Sequence, residues 1–204
     1  MFVRKGVRNG RDDSNTYFYE HGLGWHGLLV EAVEWEFKEI AQHRPKSLAV
    51  NGAVCPEPGK VEFMVAIASG LHGIASDYAD NRKSRLKDHL ISVPCYTLNS
   101  LLDQAGFRHV HYMTVDTEGS EVNILEAFDF SRFVVDYIQI EMLVGTAQAA
   151  DKQQMLDRLM AKVGYTFLHK YVVADDTMDM IYKRTSATDL ALWETRKALG
   201  FEQS

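Results

Sequence analysis

The sequence predicts an α/β fold of the doubly wound, Rossmann-like kind: one mostly parallel sheet covered by helices and closed by an antiparallel strand. Three observations predict it. Short apolar runs and helical segments alternate almost from the first residue, as a parallel sheet with helical crossovers requires. The connections between them are short. The last two apolar runs are joined by an acidic turn at Asp175 and Asp176, which suits an antiparallel pair. A chain of 204 residues fits one domain over 1–204 and buries a core without staples.

The elements follow in order. Phe2 and Val3 open a short strand, and Asp12, Asp13 and Ser14 offer N-cap chemistry for a helix over 15–21. Gly22, Gly24 and Gly27 end that helix before the apolar run Leu28, Leu29, Val30, which stops at Glu31. Trp35, Phe37, Ile40 and Ala41 lie at helical spacing, and Pro45 closes their segment. Residues 48–50 form a third strand and 61–67 another. The stretch 69–89 carries glycine, serine and the basic residues Arg82, Lys83, Arg85 and Lys87, and reads as a long loop. Order returns over 93–98, and a short helix follows over 99–104. A strand over 110–115, a helix over 121–128, a strand over 134–140 and a helix over 149–163 repeat the early rhythm. Strands over 165–168 and 180–182 close the sheet, and a tail helix is expected over 188–199.

Composition narrows the function. A net charge of -6 is the wrong sign for gripping duplex nucleic acid, which must be neutralised by cations. No apolar run approaches the roughly 20 residues that span a bilayer, and no signal peptide opens the chain. Neither a nucleic acid nor a membrane is expected as partner, and the location expected is the cytoplasm. Cys55 and Cys95 lack CxxC spacing and are read as reduced thiols.

Ligands of open parallel sheets bind beyond the carboxyl ends of the strands. The first strand is followed by Gly6 and Gly10, four apart, where backbone can approach a ligand closely. Neither GxGxxG nor the Walker lysine pattern is present, which disfavours a nicotinamide enzyme. Glu31 ends the second strand about 20 residues beyond Gly10, where a carboxylate can accept both hydroxyls of a ribose. Asp116, Glu118 and Glu121 crowd one strand-to-helix turn, and Glu141 ends the next strand. Glu121 complements the helix dipole, and Thr117 with Glu121 resembles a loose cap. Asp116 at a strand tip has no such structural excuse. Acidic residues at neighbouring strand ends suit a cationic ligand or proton uptake. His109 and His111, two apart at a strand start, are read as incidental, and no metal is expected.

Five strings then point to a family. They are Gly6 to Thr16 with Gly-x-x-x-Gly-Arg-Asp-Asp-Ser-Asn-Thr, Leu-Gly-Trp-x-Gly-Leu-Leu-Val-Glu, Asn-Gly-Ala-Val, Val-Pro-Cys-Tyr-Thr-Leu-Asn-Ser-Leu-Leu, and Val-Asp-Thr-Glu-Gly-Ser-Glu. In this order they resemble the FkbM family of methyltransferases over nearly the whole chain. The resemblance implies the seven-stranded class I methyltransferase fold and S-adenosylmethionine as cofactor. It implies that Gly6 and Gly10 line the methionine and ribose part with Asn9 nearby, and that Asn15 belongs to the same set. Glu31 would bind the ribose hydroxyls, Asn51 and Ala53 would border the adenine, and Asp116 would lie near the sulfonium. Ser69, Gly70, Leu71 and His72 match a loop facing the acceptor. The implied reaction is O-methylation of a sugar or secondary metabolite, a small-molecule or glycan hydroxyl, with Asp116, Glu118, Glu141 and His72 as candidate bases. Arg4 and Lys5 stand where the family carries an acidic and an apolar residue, and Arg8 departs as well. These departures support the alternative of a non-catalytic binding module on the same fold.

Overall fold

The computed structural model describes residues 1–5, 9–12, 14–65, 72–76, 89–144, 147–174 and 177–186. Strand β1 (Phe2–Lys5) lies at the centre of a seven-stranded sheet, parallel to β2 (Gly27–Glu31) on one side and to β8 (His109–Val115) on the other. Beyond β2 lies β3 (Leu48–Asn51), and beyond β8 lies β9 (Val134–Leu143), both parallel. β11 (Thr177–Arg184) runs antiparallel between β9 and the edge strand β10 (Tyr165–Ala174). The order is β10-β11-β9-β8-β1-β2-β3. β2 is buried at all five positions, which a strand covered on both faces must be.

One face of the sheet presents Val3, Leu28, Val30, Met113, Val115, Ile138 and Ile140. Three helices cover it: α3 (Leu98–Gln104), α4 (Glu121–Glu126) and α5 (Ala147–Lys162). They contribute Leu101, Leu102, Ile124, Leu125, Leu156 and Met160 to one continuous core. On the other face Phe2, Leu29 and Ile40 pack with Tyr19, Trp25 and Phe37, from and around α1 (Tyr17–His21) and α2 (Glu34–His43). Among the described residues no helix is long and apolar enough to cross a membrane.

The structure departs from the expectations at four points. Helix α1 starts at Tyr17, and its N-cap Thr16 makes no side-chain cap bond. Ser14 and Thr16 instead accept hydrogen bonds from Arg44, which takes them away from capping. The strand predicted over 61–67 and the ordered segment over 93–98 do not join the main sheet. As β5 (Gly59–Val65) and β7 (His89–Tyr96) they pair antiparallel in a second sheet, with the short β4 (Ala53–Val54) and β6 (Gly73–Ile74) at its edges. Cys55 and Cys95 are not free thiols. They form a disulfide with their Cα atoms 5.8 Å apart, because β4 lies parallel beside β7 with Ala53 opposite Cys95. Arg4, an unfavourable residue for a central strand, sits within β1 and is buried. The turn at Asp175 and Asp176, the tail helix and most of the loop 69–89 lie outside the described residues.

Candidate functional site

Strands β1, β2, β3, β8 and β9 are parallel, so their carboxyl ends share one edge. Glu31 is the last residue of β2 and is buried. Its Oε1 accepts from the Val33 N–H (2.8 Å), which fixes the side chain at the strand end. Asn51 is its partner across the β2/β3 register, and Asn51 Nδ2 donates to the carbonyls of Glu31 (2.9 Å) and Ala32 (3.3 Å). The Gly52 N–H donates to the Glu31 carbonyl (3.0 Å). Glu31 and Asn51 thus form one hydrogen-bonded corner. Ala53 follows, wholly buried in the small core of the second sheet with Val33, Phe63 and Cys95.

The second part of the site is the turn after β8. Glu121 Oε1 accepts from the Thr117 N–H (2.8 Å), the Thr117 hydroxyl (2.8 Å) and the Gly119 N–H (3.0 Å), while Thr117 Oγ1 accepts from the Ser120 N–H (3.1 Å). These bonds meet donors at a helix start that would otherwise go unmet. Lys152 on α5 donates to the Gly119 carbonyl (2.7 Å). Glu118 is held at φ 58, a left-handed conformation costly for a residue with a side chain, and such positions cluster at functional sites. Glu121 is thus spent within the turn, and Asp116 and Glu118 are its carboxylates left at the sheet edge.

There Asp116, Glu118 and Glu141 come together, each offering an oxygen within 4.8 Å of the others. The register explains it: Val115 lies opposite Ile140, so the residues that follow, Asp116 and Glu141, lie side by side. Burial raises the Glu141 carboxyl, and the neighbouring charges of Asp116 and Glu118 raise it further, to about 10. Burial raises Asp116 as well, against a hydrogen bond from Glu141 and the charge of Arg4. The two carboxyls form a coupled pair in which Glu141 holds the proton and Asp116 accepts the hydrogen bond. Arg4, on the adjacent strand, feels the charges of Asp116 and Asp179. On the same face Gln139 donates to Asp179 (2.6 Å) and to the Tyr171 hydroxyl (2.8 Å), and Tyr112 donates to Gln139. A polar row, buried at Gln139 and Asp179, therefore runs from Tyr112 towards the edge strand.

The structure places the other predicted residues elsewhere. Asn9 and Gly10 lie against the carboxyl end of α2: the Asn9 carbonyl meets His43 Nδ1 (2.9 Å), and the Gly10 carbonyl accepts from Arg44 (3.1 Å). That is about 14 Å along the helix from its start beside Glu31. The reason is Arg44, whose guanidinium also donates to Glu20, Ser14 and Thr16 and draws the turn towards itself. Gly10 has φ 84, and a Cβ there would come within 2.9 Å of Arg44 Cγ, so this packing demands glycine. Asn15 is exposed in the turn before α1. His72 has a buried side chain whose Nε2 lies 3.7 Å from Glu36 on α2, outside the carboxylate trio. Gly6 and residues 69–71 lie outside the described residues. Arg44 and the row Gln139, Asp179 and Tyr171 were not legible as site-forming residues. Arg44 lies 24 positions from Glu20 and Gln139 lies 40 from Asp179, and no local spacing signals these partners.

A seven-stranded sheet in this order, with one antiparallel strand inserted beside the edge and acidic residues at its carboxyl edge, is the architecture of the class I methyltransferases. The chain belongs to the FkbM methyltransferases: the family model of the methyltransferase FkbM domain matches residues 5–167. No curated protein matches the sequence. Among solved structures it is similar to a TehB-like SAM-dependent methyltransferase from Corynebacterium glutamicum, with TM-score 0.45 and 10% identity over 90% of this chain and 79% of that one. It is also similar to a protein classed as a type 11 methyltransferase from Sulfolobus solfataricus, with TM-score 0.41 and 9% identity over 92% of this chain and 85% of that one.

Proposed function

We propose that the protein uses S-adenosylmethionine to methylate a hydroxyl of a sugar or secondary metabolite, with Asp116, hydrogen-bonded by Glu141, taking up the proton released. The observation that carries this reading is the convergence of Asp116, Glu118 and Glu141 at the carboxyl edge of the sheet. When bound, the cofactor supplies an electrophilic methyl group on a cationic sulfur. The residues present fit it: the Glu31 carboxylate ends β2 at the position suited to a ribose diol, and the carboxylates beyond β8 and β9 complement a positive charge.

Methyl transfer to a hydroxyl leaves one proton to be removed. Burial pushes both carboxyls up, and Glu141 donates a hydrogen bond that favours the ionised form of Asp116, so Asp116 is the member of the pair placed to accept the proton. Glu118, fixed by the left-handed turn, is held beside them. A calorimetric titration with S-adenosylmethionine tests the reading. Binding is expected, together with a rise in Tm that Glu31→Ala abolishes; absence of both at millimolar cofactor overturns it. Methylated products from nitrogen or sulfur acceptors alone would redirect the substrate class.

A second reading, a binding module without catalysis, is favoured by one observation: the buried Arg4 guanidinium already brings a positive charge to Asp116. It gains ground if the wild-type chain fails to bind the cofactor and Arg4→Met restores binding. The cytoplasm remains our proposed location, and it would set the Cys55–Cys95 bond in a reducing compartment. Counting free thiols in protein isolated without reductant tests that point.

A further inference from the structure

We propose a second, independent site for a transition-metal ion of the zinc, nickel or cobalt type at His109, His111 and Asp136, at the opposite end of the sheet from the carboxylates. The three residues each offer a ligand atom within 4.8 Å of the others. Two imidazoles and one carboxylate are the donor set that borderline divalent ions favour, with water completing the shell. Tetrahedral ligands at about 2.0–2.1 Å from zinc lie roughly 3.3 Å apart, so small side-chain rotations close the present spacing.

The position is held by strands. His109 opens β8, and His111 lies opposite Asp136 between the register pairs Val110 with Val135 and Tyr112 with Tyr137. His109 Nε2 already meets Asp136 Oδ2 at 2.8 Å. The His109 and His111 rings stack with centroids 4.5 Å apart, and Trp25 packs on His111 at 5.4 Å. The histidines are exposed, so an ion can enter without unfolding. Asp116 follows the far end of β8, roughly 20 Å along the strand, so the ion would clamp β8 to β9 and take no part in methyl transfer.

The test uses the full chain without an affinity tag. Zinc is titrated by calorimetry and its effect on Tm is recorded, and cobalt is added separately to read its visible absorption. One ion per chain is expected, with a raised Tm. His111→Ala and Asp136→Asn should each weaken zinc binding at least ~10-fold and remove the Tm rise. Manganese, which prefers oxygen ligands, should compete poorly. His111 is exposed and Asp136 partly buried, and circular dichroism establishes that the variants fold. No zinc binding, or zinc binding that both variants leave unchanged, overturns the proposal. It stands or falls without reference to the cofactor.

Discussion

The Arg44 guanidinium is fully buried and donates to Glu20, Gly10, Ser14 and Thr16, while Glu20 also accepts from Lys46 and Ser47. Removing Arg44 would leave a buried carboxylate without its cation. Breaking such a pair costs about 3–5 kcal/mol, so Arg44→Ala should lower stability by that order in denaturant unfolding. Arg44→Lys should not restore it, because one ammonium cannot serve a fork of four partners. A loss under about 1 kcal/mol would contradict this account. Glu141 makes the opposite kind of demand. Its folded carboxyl is pushed up to about 10 by burial and by Asp116, against an ordinary value of 4.5. The folded protein therefore holds this proton more tightly than the unfolded chain does, and stability falls as pH rises between those values. Tm should be lower at about pH 9 than at about pH 6, and Glu141→Gln should flatten the slope. A wild-type Tm that does not fall over this range would refute the pairing. Glu20 works the other way: burial would raise it, but bonds from Ser47, Lys46 and Arg44 outweigh that and hold it low. Its contribution is lost only in acid.

At the scale of elements, the second sheet is the part that alternation alone did not assign. β5 reads as a strand and is one, but its pairing partner is β7, outside the main sheet. The disulfide ties this sheet at β4 and β7, beside the corner formed by Glu31 and Asn51. Closing a loop across a sequence separation of 40 removes unfolded-state entropy worth up to about 4 kcal/mol in the chain-entropy account. Cys95→Ser, or reduction of the bond under mild denaturant, should therefore lower Tm, with the loss seen first by hydrogen exchange in β4 and β7. Unchanged protection there would show that the small core of Val33, Phe63, Ile74 and Val93 holds the sheet by itself. The helix starts illustrate the limits of local signals. Thr97 caps α3 by accepting from the Ser100 N–H (3.1 Å), as its residue type allows. Ser14 and Thr16 are equally good capping types, yet they are used by Arg44.

For the whole molecule, cofactor binding is read most directly as stabilisation. At a hundredfold excess over Kd a ligand of the folded state adds about 2.7 kcal/mol, which in a chain of this size shifts Tm by roughly 5–10 °C. The shift should be missing in Glu31→Ala and preserved in His111→Ala, since the two residues serve separate ends of the sheet. The α/β class, the positions of most strands and helices, the family, and the acidic character of the strand ends at Glu31, Asp116 and Glu141 are all legible in the amino-acid order alone. Each of these is written in neighbours along the chain, through apolar periodicity, turn residues and contiguous motif strings. Folding in three dimensions settles which distant residues meet: Arg44 with Glu20, Asp116 with Glu141, Cys55 with Cys95, and His109 with Asp136. Those meetings follow from strand register and helix crossing. A side chain's local spacing does not encode them, because its partner is chosen by the path the chain takes in between.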